Sequence, residues 1–166
     1  GDHVALHHDL DAPLVDCSSI EDWKAKFKGQ KVFVTPHHMG YQTGYRGYNW
    51  KCFSEGDQTP FVEMLSRHGL AEGDMGDINY YHDMGPRQWE GTIQYGLSLG
   101  KKFGIMGSTD QHSGYPGSYG DGRVGVLAES LSRDNIWEGL RTRHTCCATG
   151  DKINIDFRLN DAFMGD

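Results

Sequence analysis

Apolar and polar residues along this chain change period several times, and each change marks an element. Over "SIEDWKAKFKG", Ile20, Trp23 and Phe27 recur three and four residues apart, the spacing of one helical face; Ser19 is placed to cap the start and Gly29 to end it. "KVFVTPHH" is a short β-branched run stopped by Pro36, and after a glycine- and tyrosine-rich loop "PFVEML" is a second. "PRQWEGTIQYGLSLGKK" predicts a helix with Pro86 near its first turn and Trp89, Ile93, Tyr95 and Leu97 as its apolar positions. "KFGIMGSTD" and "GRVGVLAES" follow as strands, and "SRDNIWEGLRTRHT" as a helix capped by Ser132 or Asp134. "INIDFRLN" alternates Ile153, Ile155, Phe157 and Leu159 with polar residues, as a half-buried strand does. Alternating strands and helices predict an α/β domain with parallel pairing, in which polar residues at the C-terminal ends of strands collect the chemistry.

Composition bounds the function. The 166 residues suffice for one domain, and 37% hydrophobic residues supply its core. The 23 glycines cluster around 40–47 and 114–125, so loops carry much of the function. A net charge of −7 without a Lys/Arg stripe argues against nucleic acid as a partner. No apolar run reaches membrane-spanning length, so the expectation is a soluble cytoplasmic or periplasmic protein that does not engage a membrane. Cys17, Cys52, Cys146 and Cys147 lack CxxC spacing, and the adjacent pair cannot bridge without strain; inert thiols are expected.

Three strand ends hold the candidate chemistry. Asp110 and His112, in "GSTDQHSGYPG", stand two residues apart where both can reach one ion; alone, the pair is equally the carboxylate of a turn beside an exposed imidazole. His37 and His38 close "KVFVTP"; neighbours on a strand point to opposite faces, so one of them faces a shared site and the other supports it or meets substrate. Glu63 interrupts an apolar run, where an unpaired carboxylate is costly, so it must be paired, at an edge or a ligand. His68, five residues on, is a ligand, a substrate contact or a helix-start residue. The His/Asp-rich start "GDHVALHHDLD" could bind metal but lies at a terminus, and His82 and His144 stand isolated. In "GYQTGYRGYNW" the tyrosines either line a pocket, gripping an anion with Arg46, or form the body of a packed loop. No P-loop, dinucleotide fingerprint or nucleophile elbow is present.

Taken together, "FVTPHHMGY", "PFVEMLSRHGLAEGD", "YGLSLGKKFGIMGSTDQHSGYPG" and "EGLRTRHTCCATGDKINIDFRLNDAFMG" occur in an order that resembles an uncharacterised bacterial subgroup of the PHP (polymerase and histidinol phosphatase) superfamily of metal-dependent phosphoesterases. The resemblance runs from about His37 to the C-terminus. It implies a distorted β/α barrel, with parallel strands, flanking helices and divalent ions (zinc, manganese or iron) at the strand C-termini. Asp110 and His112 match the family's last metal motif, and His37 its mid-chain histidine ligand. Glu63 is assigned as a further metal ligand, and His38 and His68 as the catalytic histidines that protonate a leaving group or position phosphate. The family's opening HxH motif and SDG-like turn have no counterpart here. Residues 1–166 are accordingly expected to be one domain, the C-terminal portion of a PHP-like barrel without its N-terminal strands. The implied activity is metal-dependent hydrolysis of a small phosphorylated substrate, weak or absent in this portion alone. An incomplete barrel exposes strand edges, so a homo-oligomer is expected. The alternatives are a non-catalytic binding module that keeps the fold and a carbohydrate-active domain, which needs a second acid that Glu63 lacks in sequence.

Overall fold

The structure, a computed structural model, describes residues 1–53, 56, 58–74, 84–115 and 122–166. His82 and the Pro116-Gly117 end of the "GSTDQHSGYPG" motif lie outside the described residues.

The expected helix-flanked parallel barrel is not what forms. Strand β1 (His3–His7) pairs antiparallel with β2 (Val32–Pro36), in the register Ala5 opposite Val34. Strand β3 (Phe61–Ser66) lies between β4 (Gly69–Leu70), antiparallel to it, and β5 (Gly104–Gly107), parallel to it. Strands β6 (Arg123–Val126) and β7 (Thr145–Ala148) form an antiparallel pair whose β7 packs beside β5. A small hairpin of β8 (Arg158–Leu159) and β9 (Ala162–Phe163) ends the chain. Among the described residues β3 with β5 is the one parallel pairing of strands, beside an isolated parallel bridge of Thr43 with Gly47. The helices are short: α1 (Ile20–Lys26), α2 (Ile93–Ser98) and α3 (Arg133–Arg141). A parallel barrel needs a covering crossover helix between successive strands. Here, among the described residues, β2 reaches β3 through the glycine–tyrosine loop and one 3₁₀ turn at Trp50–Cys52.

Local rules explain the helices that do form. Ser19 Oγ accepts from the Asp22 N–H at 3.1 Å and Ser132 Oγ from the Asn135 N–H at 3.2 Å, so both caps read from sequence are in place. The long helix expected from Pro86 is instead a 3₁₀ turn (Trp89–Gly91) followed by α2, which Thr92 caps. "INIDFRLN" is not half-buried: residues 152–157 belong to no ladder among the described residues, and their apolar side chains are exposed.

Two apolar clusters hold the sheets. Trp23 of α1 and Phe27, its C-cap, pack on Val32 and Val34 of β2. The larger cluster joins Met39, Tyr48, Trp50, Phe53, Val62, Ala71 and Ile93. Trp50 is anchored by its indole N–H, which donates to the Thr92 carbonyl at 2.9 Å, and its ring lies against Gly96, where a methyl group would meet ring carbons at 2.3–2.6 Å. This core fixes the ends of β2, β3 and β5, the three strands that carry the candidate residues.

Candidate metal centre

Strand β2 lies beside β3, with Thr35 Oγ1 donating to the Phe61 carbonyl at 3.2 Å, and β5 flanks β3 on the other side. His37 and His38 leave the end of β2, Glu63 stands within β3, His68 follows in the β3–β4 turn, and Asp110 lies three residues past β5. These five side chains lie close together, although the expected barrel is absent.

Glu63 is buried, and one of its oxygens takes two hydrogen bonds. Its Oε2 accepts from His37 Nδ1 at 2.7 Å and from Ser108 Oγ at 3.0 Å. A carboxylate only accepts, so Nδ1 carries the His37 proton and Nε2 is left to face Asp110, whose Oδ1 lies 3.5 Å away. His68 Nε2 approaches Asp110 Oδ2 to 3.0 Å, but that buried oxygen accepts no well-aligned hydrogen bond. The His38 ring lies against His37, tilted by 32° with centroids 3.5 Å apart; its Nδ1 is buried with no hydrogen-bond partner, and its Nε2 is 3.8 Å from Asp2 Oδ2.

Burial tends to lower the His37 pKa, but the hydrogen bond and charge of Glu63, aided by Asp110 and Asp2, raise it overall. His38 moves the other way: burial and the neighbouring His37 charge lower it, so its neutral form is favoured. The backbone is strained at two of these positions. His38 has φ 63° and Asp110 φ 46°, a left-handed region that costs a non-glycine residue about 1–2 kcal/mol. Local strain and orphaned buried polar atoms at the same residues are the marks of a site shaped for something other than its own packing.

The donor set fits a divalent cation. One ligand atom each from His37, His38 and Glu63 lie within 4.8 Å of one another. The 3.0–3.5 Å separations of His68 and His37 Nε2 from Asp110 oxygens match atoms sharing one ion through bonds of about 2.0–2.2 Å. Mixed imidazole and carboxylate donors suit zinc, manganese or iron.

His112 sits differently from its companions. Its side chain is 81% exposed, and it reaches the cluster only through Nε2, 3.2 Å from Asp110 Oδ1. Two participants were not legible as such. Ser108 reads from sequence as a small residue in a turn, yet it orients Glu63. Asp2 lies beside His38 because β1 pairs with β2, its carbonyl accepting from the His37 N–H at 2.9 Å. The His/Asp composition of the first eleven residues was its one signal. Arg46 meets the same Asp2 carboxylate at 3.5 Å, at the rim and largely exposed. His144 is remote in role, 3.4 Å from Asp166 at the C-terminal hairpin.

No helix among the described residues is long and apolar enough to cross a membrane. No family model matches the chain, and no solved structure matches it. An uncharacterised protein of Chlamydia trachomatis is 27% identical over 130 residues, covering 72% of this chain and 21% of that protein. An uncharacterised protein of Chlamydia muridarum is 31% identical over 84 residues, 46% of this chain and 14% of that protein. The chain is thus similar to segments of two chlamydial proteins and spans about a fifth of their length or less.

Proposed function

We propose that this chain supplies a divalent-metal site for the hydrolysis of phosphate esters. The observation that carries the reading is the convergence of His37, His38 and Glu63 with His68 and Asp110, where the buried His38 Nδ1 has no hydrogen-bond partner and Asp110 Oδ2 is met by His68 Nε2 at 3.0 Å without an aligned hydrogen bond. The order of motifs resembling PHP phosphoesterases supports the choice of phosphate esters over other substrates.

His37 through Nε2, Asp110 and His112 are the residues that would hold the ion, with Glu63 behind His37. A divalent ion held there supplies Lewis acidity toward a phosphoryl oxygen and offsets the charge that develops on it. Glu63 keeps the His37 ring in the tautomer whose Nε2 faces the site, and Ser108 keeps Glu63 in place. His38, favoured neutral, and His68 are the groups placed to hold or hand on a proton at Nε2. His112, largely in solvent, closes the outer side of Asp110.

The test compares the chain with Asp110→Asn, which keeps the left-handed backbone accessible. Elemental analysis after metal loading is expected to find an ion retained by the chain and lost from the variant. Hydrolysis of p-nitrophenyl phosphate and its diester is expected to be weak, metal-dependent and absent in the variant. Equal metal content in both proteins would sink the site. Retained metal with no turnover of either ester would sink the hydrolase and leave a binding module.

A further inference from the structure

The run 152–158, "KINIDFR", alternates apolar and polar residues as a strand does, yet has no ladder partner before Arg158 among the described residues. Its apolar side stands in solvent: Ile153 is 51% exposed, Ile155 37% and Phe157 61%. The Phe157 carbonyl accepts from the Met164 N–H at 3.0 Å and Arg158 is paired in the hairpin, but over 152–156 strand periodicity, a backbone in no ladder and bare β-branched residues make a template for another strand. From the charges of this run we infer that its partner is the same run of a second copy of the chain, paired antiparallel about a two-fold axis at Asn154.

The polar residues select that register. With the axis at Asn154, Lys152 of each copy stands opposite Asp156 of the other, and Ile153 opposite Ile155. The other face then holds two Lys–Asp pairs flanking an Asn–Asn pair, with no like charges opposed. Moving the axis to Ile155 sets Lys152 against Arg158, and moving it to Asp156 sets that carboxylate against its own copy. Moving it to Ile153 faces Lys152 with Asn154 and so loses both Lys–Asp pairs, while Asp151 stands opposite an apolar residue in either register (Ile155 there, Phe157 with the axis at Asn154). Opposite charges directly across an antiparallel pair are favourable and like charges unfavourable, so one register is preferred. Asp156 already lies 3.1 Å from Arg158 on its own strand, both side chains being exposed, so it can accept Lys152 of the second copy as well. An interface of this length is small beside the roughly 1,600 Å² of a standard one, so the dimer is weak and concentration-dependent. It rests on none of the proposed metal chemistry.

Charge exchange tests it. Sedimentation equilibrium of the chain and of Lys152→Asp, Asp156→Lys and the double variant is run from about 10 µM to 1 mM, a span that covers weak dissociation constants. Each single change opposes like charges twice and should weaken dimerisation about tenfold or more, while the double change reverses both pairs and restores it. Far-UV circular dichroism checks that these exposed substitutions leave the fold intact. A monomer across the whole range would overturn the inference and assign the stripe to a different partner. So would a dimer indifferent to the single changes, or a double variant no better than either single.

Discussion

Glu63→Gln isolates what the metal site contributes, because the two residues share a shape and differ in charge. Glu63 Oε2 accepts from His37 Nδ1 at 2.7 Å and Ser108 Oγ at 3.0 Å. An amide oxygen can take both bonds, but each falls from a charge-assisted bond of about 1.5–3 kcal/mol to a neutral one of about 0.5–1.5 kcal/mol. Against this, the substitution removes a buried anion next to Asp110, which relieves a desolvation penalty of similar size. In metal-free protein the two nearly cancel, and the net change should stay within about 1 kcal/mol, or roughly 3 °C in Tm. With metal the terms no longer cancel. An ion at 100 times its Kd stabilises the native state by about 2.7 kcal/mol, which for a domain of this size raises Tm by about 5–10 °C. Losing the group that orients a histidine ligand weakens affinity about 10–100-fold, or about 1.4–2.7 kcal/mol. At the same zinc or manganese concentration the upshift in Glu63→Gln should therefore fall to about half that of wild type or less, at most about 5 °C. Scanning calorimetry with and without chelator measures it, and Glu138→Gln, in the exposed pair with Arg141 on α3, should keep the full upshift. Equal upshifts in wild type and Glu63→Gln, or none in wild type, would refute the assignment.

Gly96→Ala should destabilise the chain by about 1–3 kcal/mol in urea titration. The gain of about 1 kcal/mol in helix propensity is outweighed because the new methyl group meets the buried, hydrogen-bonded ring of Trp50 at 2.3–2.6 Å, where neither can shift freely; a neutral or stabilising result would contradict this packing. Burial pushes the Cys147 thiol up to about 12, with the charges of Cys146 and Glu63 adding to the effect. At pH 8 about one in 10,000 of its molecules is thiolate, so a disulfide reagent should titrate the exposed Cys17 and Cys52 quickly and Cys146 and Cys147 only on unfolding. Four thiols reacting at one rate would show that the β6–β7 layer does not shield them.

Features set by a few neighbouring residues could be read directly from the chain. The Ser19 and Ser132 caps, the apolar face of α1 and the runs that become β2, β3 and β5 follow from local spacing and hydrogen bonding. The candidate ligands could be picked out because each stands next to or within such a strand. Which strands pair, and in which direction, depends on contacts between residues far apart, and there the alternation of helices and strands misled: β1 lies antiparallel on β2, and β6 on β7. That pairing brings Asp2 beside His38, and no periodicity in the first residues foretells it. Tertiary structure also decided that Ser108 steadies Glu63, that His112 stays in solvent and that Ile153, Ile155 and Phe157 remain uncovered despite their strand pattern. Local chemistry decides what a residue can do, but burial and partners are properties of the assembled chain. The five residues of the cluster could be nominated one by one from the sequence; their meeting at one place is the work of the core around Trp50, Val62 and Ile93.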